Sequence, residues 1–340
     1  MQTMSDAYPL MFEPMLLEKV WGGRKLAGLG KSLADGVNVG ESWEVADLGS
    51  TAPSGAGGGA RRSVIANGPL AGKSIQAAMS HWGPDLLGSA SATAQGGFPL
   101  LVKLLDAREH LSVQVHPSPE YAAAHSEATP KTECWFVLAA EPGERGEEPV
   151  IFKGFKPGVT EDDYRKAIAA GTVPELMNAV PAVVGEMHDL PTGTIHALGA
   201  GVVVAEVQTP SDTTFRVFDW IAKYNRQVRE LHIEEALEST LFADPPEAIS
   251  VQGDGLLVDK DTFRVRQLSA HCEEKAIADP GVCTAVMMLQ TMGASLASKS
   301  GTFAEITMDP GTTVLIPAAC AEDAVLRGGP GTKSLVVEVV

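Results

Sequence analysis

Hydrophobic residues in this chain come in short bursts cut off by turn residues. Residues 98–107, 110–118, 131–140 and 150–158 are apolar, brief and bounded by Gly, Pro, Asp or Ser, which predicts buried strands. The same texture returns at 186–191, 193–199 and 201–208, and again at 263–269, 284–291, 302–317 and 334–340. Helical spacing interrupts it in a few places. Residues 74–88 have it and then meet a glycine. Residues 160–170 open on Thr160 as N-cap, carry acids in the first turn and stop at Gly171. A second helix is expected after Thr172-Val173-Pro174, running through Asn178, so a helical insertion spans about 160–180. A further short helix is expected at about 229–240. Residues 52–60 and 89–97, rich in small residues, predict surface loops. No repeat of about 20–50 residues is evident, so a solenoid is not expected. The pattern predicts a mainly β protein of two units, with helices attached to the first.

Length agrees with this division, since 340 residues suggest about two domains. The Pro-rich junction near residue 243 places the expected domains at 1–243 and 244–340. The net charge of −17 argues against nucleic acid or an anionic membrane as partner. It also raises the question of how so acidic a protein would bind an anion. No apolar run reaches about 18 residues, so no transmembrane span is expected. The first residues lack a basic segment followed by an apolar one, so no leader is expected. Cys134, Cys272, Cys283 and Cys320 are scattered, which suggests reduced thiols and a cytoplasmic location.

Three polar stretches interrupt the apolar runs. In a strand, residues two apart share a face, which groups Ser112, Gln114 and His116, and likewise Lys131, Glu133 and Trp135. Taken singly, the first group has the alternative reading of a half-exposed strand, and Glu133 beside Lys131 reads as a solvated ion pair. Cys134, on the opposite face, reads as a packing residue. The third stretch is Gly185, then Pro191-Thr192-Gly193, a turn that delivers His196 to the start of the next strand.

Together these residues resemble the cupins, whose first motif has a His-x-His pair with a downstream Glu. The second cupin motif has a Gly, a Pro-x-Gly turn and a His. Gln114 replaces the leading His, and that substitution resembles one cupin branch, the type I phosphomannose isomerases. Trp21-Gly22-Gly23, Gly40-Glu41-Ser42-Trp43-Glu44, the run from Phe98 to Pro117, and Ser211-Asp212-Thr213-Thr214-Phe215-Arg216 are similar to that branch too. The chain departs from the cupin pattern at Ala200, where an Asn is common, and from that branch at Pro210, where relatives are often polar.

The resemblance implies two jelly-roll barrels, the second without evident ligands. It implies one zinc per chain on Gln114, His116, Glu133 and His196, a donor set that also suits Mn, Co or Fe. It further implies a phosphorylated hexose as substrate. Lys103 and Ser112 would hold its phosphate, Glu41 and Trp21 would line the mouth, and Arg216 would stabilise charge near the reacting carbons. Glu206 or Lys131 would move the proton. The remaining histidines are expected to be non-ligands, with His188 the most plausible exception. Rival readings are an isomerase of a related or free sugar, a non-catalytic sugar-sensing cupin, and a metal-dependent oxygenase. The sequence leaves the oligomeric state open.

Overall fold

Short strands ended by turns leave the chain few ways to bury its apolar faces, and it does so as two antiparallel barrels. The computed structural model describes residues 5–51, 58–126, 128–270 and 274–340. The expected loop at 52–60 therefore lies largely outside the described residues, as do His271 and Cys272. The stretch 89–97 has no strand or helix, as expected.

The first barrel is built from two sheets. One has six strands, in the spatial order Met187–Leu190, Glu133–Ala140, Val202–Gln208, Leu101–Asp106, Val39–Val45 and Met15–Gly23. The other has five: Met177–Pro181, Val150–Phe155, His196–Leu198, Val113–Val115 and Phe215–Phe218. The second barrel combines a six-stranded sheet, centred on Thr284–Gln290 and Thr332–Val339, with a four-stranded one. Strand Leu10–Met11 joins this second barrel by pairing with Thr313–Ile316, so the N-terminal segment ties the two units together. The expected boundary near 243 falls in the irregular stretch between helix Ile233–Ser239 and strand Gly255–Asp259.

The six-stranded sheet of the first barrel is buried on both faces. Val102, Leu104, Cys134, Phe136, Ala205 and Val207 pack outward into a core shared with the second barrel. The alternate residues turn inward, as the two-residue period of a strand requires. That double burial is why these strands read as continuous apolar runs. Inside the barrel one end is closed by an apolar cluster including Leu105, Val137, Ile151, Leu198 and Val204. The polar residues collect at the other end.

The helix expected after Thr160 spans Glu161–Ala170, with a capping box between Thr160 and Asp163 and Gly171 in the left-handed region at φ 69°. The helix expected through Asn178 is shorter than read. A 3₁₀ turn covers Val173–Leu176, and Met177–Pro181 is instead a strand. Its residues satisfy their backbone groups by pairing with Val150–Phe155, which a single turn of helix could not do. The helix expected at about 229–240 covers only Ile233–Ser239, and Arg229 precedes it in coil. No helix among the described residues is long and apolar enough to cross a membrane.

Candidate active site

Cross-strand register lines up two facing rows of inward side chains. On the six-stranded sheet, Trp43 lies opposite Lys103, Lys103 opposite Glu206, Glu206 opposite Trp135 and Trp135 opposite His188. On the five-stranded sheet, Arg216 lies opposite Gln114, Gln114 opposite His196 and His196 opposite Lys153. The rows meet where the Trp135 and His196 rings pack edge to face, 5.3 Å between centroids.

Beside that contact, His116, Glu133 and His196 bring ligand-capable atoms within 4.8 Å of one another. The Nε2 of His196 lies 3.1 Å from Glu133 Oε1, and that of His116 lies 3.4 Å from Oε2. All three residues are buried. Each imidazole spends its Nδ1–H on a backbone carbonyl: His116 on Thr213 at 2.9 Å, His196 on Thr194 at 2.8 Å. That fixes the tautomer and leaves the Nε2 lone pairs aimed inward. The turn that delivers His196 depends on Gly193, at φ 81°, where Thr194 N–H closes back on Pro191 O. The Gln114 amide is 3.4 Å from His196 Nε2.

His116 Nε2 and both Glu133 oxygens are buried without a hydrogen-bond partner. Such groups are costly to bury unsatisfied, and a divalent cation would engage all of them. Burial and the Lys131 charge pull the His116 pKa down to about 3, so the ring is neutral and able to ligate. Burial works against the Glu133 anion, but the Lys131 ammonium opposes it, and the carboxyl is held well below its usual range. The donor set of two imidazoles and a carboxylate therefore fits a divalent metal ion. Among the described residues this is the cluster with metal-binding geometry. His188 does not join it. Its ring is buried beside Glu186, 3.8 Å away, and burial with the Lys153 charge lowers its pKa to about 4.

A cavity of about 720 Å³ opens beside this cluster, a size suited to a small ligand. Trp21, Glu41, Lys103, Ser112, Gln114, Lys131, Glu206 and Arg216 all line it, so the sequence-expected residues outside the buried triad share one space. A chain of alternating charge runs along its wall. Lys19 Nζ pairs with Glu41 at 3.1 Å, and Lys103 Nζ lies 2.9 Å from Glu206 and 4.0 Å from Glu41. Indole N–H groups fix the carboxylates: Trp43 donates to Glu41 at 2.7 Å, Trp135 to Glu206 at 2.8 Å. Burial opposes the Glu41 charge, but Lys19 and Lys103 outweigh it and pull its pKa to about 2. Burial also opposes the Lys103 charge, and Glu206 and Glu41 outweigh it to hold the ammonium above its usual pKa. Gly40 makes the close packing here possible. A Cβ on it would stand 2.7 Å from both the Trp21 ring and the Lys19 stem.

Lys131 Nζ sits 2.5 Å from Glu133 Oε2, joining the wall to the triad. Arg216 donates through Nη1 to the Glu230 carbonyl at 2.8 Å, while its Nε is buried without a partner. Sequence reasoning did not single out Lys19, Arg61 or Arg229 of the lining. Lys19 carried a faint signal, two residues before Trp21 on the same strand face. Arg229, in coil, carried none.

The geometry defines a cupin barrel whose charged cavity adjoins three buried residues able to hold a metal ion. Comparison with known proteins narrows the class. The sequence model described as phosphomannose isomerase type I, catalytic domain, matches residues 12–136. A mannose-6-phosphate isomerase of Streptococcus mutans is 33% identical over 252 residues, 73% of each chain. A probable mannose-6-phosphate isomerase of Bacillus subtilis, GmuF, is 36% identical over 68% of each chain. The solved structure of the mannose 6-phosphate isomerase from Bacillus subtilis superposes with a TM-score of 0.79 at 25% identity, covering 98% of this chain and all of that one. The chain belongs to the type I phosphomannose isomerase family.

Proposed function

We propose that this protein is a zinc-dependent isomerase that interconverts D-mannose 6-phosphate and D-fructose 6-phosphate through a cis-enediol. One observation carries the reading: His116, Glu133 and His196 converge, buried, with His116 Nε2 and both Glu133 oxygens lacking a hydrogen-bond partner, beside a cavity lined by cations and carboxylates. Family membership supports the substrate. Gln114, His116, Glu133 and His196 would hold the metal, which when bound supplies Lewis acidity toward the sugar oxygens.

The reaction moves a proton from C2 to C1 of the open sugar. Glu206 is the first candidate to carry it, since its carboxylate projects into the cavity and two donors fix its orientation. Lys131, 2.5 Å from Glu133, is the second. Arg216 brings positive charge to the same space and would oppose the charge that develops on the enediol oxygens. Trp21 and Glu41 shape the mouth, and Ser112 offers a hydroxyl to the phosphate. The expectation that Lys103 also grips the phosphate meets an ammonium already held by Glu206. Its stronger role is to fix that carboxylate. The free, buried thiols of Cys134, Cys283 and Cys320 fit a reducing, cytoplasmic setting.

A coupled assay on mannose 6-phosphate, before and after a chelator and with zinc added back, tests this reading. Turnover lost to the chelator and restored by zinc is expected. Full activity in metal-free protein would overturn the metal assignment, and turnover of free mannose alone would overturn the substrate.

A further inference from the structure

We propose that Lys31 and Glu44, an ion pair buried between the two barrels, are positioning residues for the isomerase site: through them the second barrel sets the stretch of cavity wall that carries Trp43 and Lys103. This rests on the isomerase reading above and extends it to residues that touch neither metal nor cavity.

Strand Val39–Val45 has two faces with different surroundings. Glu41 and Trp43 line the cavity, whereas Ser42 and Glu44 do not. Glu44 is also an extra residue. Trp43 lies opposite Lys103 and Val45 opposite Val102, so the register shifts between them and Glu44 has no cross-strand partner. A bulge of this kind re-aims the side chains beside it. Here Trp43 faces the cavity while Val45, two residues on, joins Val102 in the outer core. An unbroken strand would put both on one face.

The bulge is held by charge, and the hold crosses from one barrel to the other. Lys31 Nζ lies 2.7 Å from Glu44 Oε2, and the Ser42 hydroxyl donates to Oε1 at 2.6 Å. The same ammonium donates to the Gly311 carbonyl at 3.0 Å, in the turn before strand Thr313–Ile316 of the second barrel. Approach there is close, since a Cβ on Gly311 would stand 2.2 Å from Leu29 O. Both charged side chains are only 5% exposed.

A buried ion pair is a poor device for stability alone. Desolvation offsets its attraction, and apolar residues of similar volume often do as well. Burial outweighs the Lys31 charge and raises the Glu44 pKa, so the fold holds this carboxylate at a cost. What the pair supplies is a fixed geometry at one residue of the wall. Contacts pass that geometry on. Trp43 donates to Glu41 at 2.7 Å, and the Lys103 ammonium stands over the Trp43 ring, 5.0 Å from its centroid. Lys103 in turn lies 2.9 Å from Glu206, the first candidate for the proton carrier. A shift of the bulge therefore moves Trp43, then Lys103, then the carboxylate that must reach C1 and C2.

The test compares wild type with Glu44→Gln and with the apolar double variant Lys31→Met/Glu44→Met, all zinc-loaded and assayed well below their Tm. Glu44→Gln should lower kcat for mannose 6-phosphate about 10- to 100-fold, the effect of a small misplacement far from the chemistry. KM and zinc content should stay near wild type. The double variant should recover Tm, because no buried charge is left unpaired, but not kcat. A purely structural pair would recover both, so a double variant with wild-type kcat overturns the proposal. Glu44→Gln leaves a buried ammonium unpaired and can fail to fold, so Ser42→Ala is a milder second probe. It removes one hydrogen bond to Glu44 and leaves the ion pair. Its kcat should fall about threefold or more, and the fall should vanish in a Trp43→Leu background, since both changes act through one ring. An unchanged kcat for Ser42→Ala, or the same fall in both backgrounds, overturns the proposal. Wild-type protein that does not turn over mannose 6-phosphate overturns the isomerase reading and this role with it; an active wild type beside an equally active double variant overturns this role alone.

Discussion

The indole N–H of Trp135 donates to Glu206 Oε2 at 2.8 Å, across adjacent strands in direct register. This bond fixes one oxygen of the proposed proton carrier, while the ring packs against His196. Trp135→Phe keeps an aromatic ring and removes the donor. A hydrogen bond to a charged group contributes about 1.5–3 kcal/mol. We therefore expect kcat to fall roughly 10- to 100-fold with zinc still bound. Zinc content by mass spectrometry beside steady-state kinetics checks it; loss of metal would mean the ring chiefly supports His196.

Glu133 supplies the one carboxylate among the proposed ligands. Glu133→Gln should remove both bound metal and turnover. It should also leave the Lys131 ammonium without its partner 2.5 Å away. Metal analysis and the coupled assay together decide it, and a variant that still binds zinc stoichiometrically would displace Glu133 from the ligand set.

Lys103 is buried between Glu206 and Glu41. Removing one partner of a buried ion pair leaves an uncompensated charge, at a cost of about 3–5 kcal/mol. Lys103→Met should lower Tm by several degrees or more, measurable by calorimetry on the metal-loaded protein. An unchanged Tm would show that water reaches the carboxylates readily.

Gly193 holds φ 81°, and a Cβ there would come within 2.6 Å of Leu241. Gly193→Ala is expected to cost about 1–3 kcal/mol. Because this turn carries His196, zinc affinity should fall as well. A competitive chelator titration would detect that shift, and unaltered affinity would uncouple the turn from the ligand.

Two further histidines set an acid limit. Burial, chiefly, lowers the pKa of His110 and of His188 from 6.5 to about 4. The folded protein holds both rings neutral, so the unfolded chain binds more protons between about pH 6.5 and 4. Stability is therefore complete above that window and falls as pH drops through it, by roughly 2–3 kcal/mol per ring at most. Thermal unfolding across that pH range should show the loss. His188→Gln should flatten it, and an identical slope in the variant would clear His188 of the effect.

Much of the first barrel was legible because its signals are local. Thr160, the acids after it and Gly171 specify a helix by themselves, and Pro191-Thr192-Gly193 specifies a turn. The reading failed where pairing partners decided. Met177 and Asn178 continue a helical pattern in sequence, yet an open edge at Val150–Phe155 draws them into a strand. It failed likewise at the start of the last helix, where residues 229–232 follow no period.

The sequence alone determined which residues could act: the Gln114, His116, Glu133 and His196 set, the charged residues around them, and two β units to carry them. Alternation along a strand is a property of the backbone, so sharing a face is written in spacing. What faces that face is not. Only the tertiary structure decided that Lys103 lies against Glu206 and that an arginine from irregular coil stands beside Arg216. These meetings join residues up to 103 positions apart, and they follow from register and barrel closure, which no local pattern encodes. The net charge of −17 describes the surface. The cavity's six cations against four carboxylates, beside a site fit for a metal ion, are a product of folding.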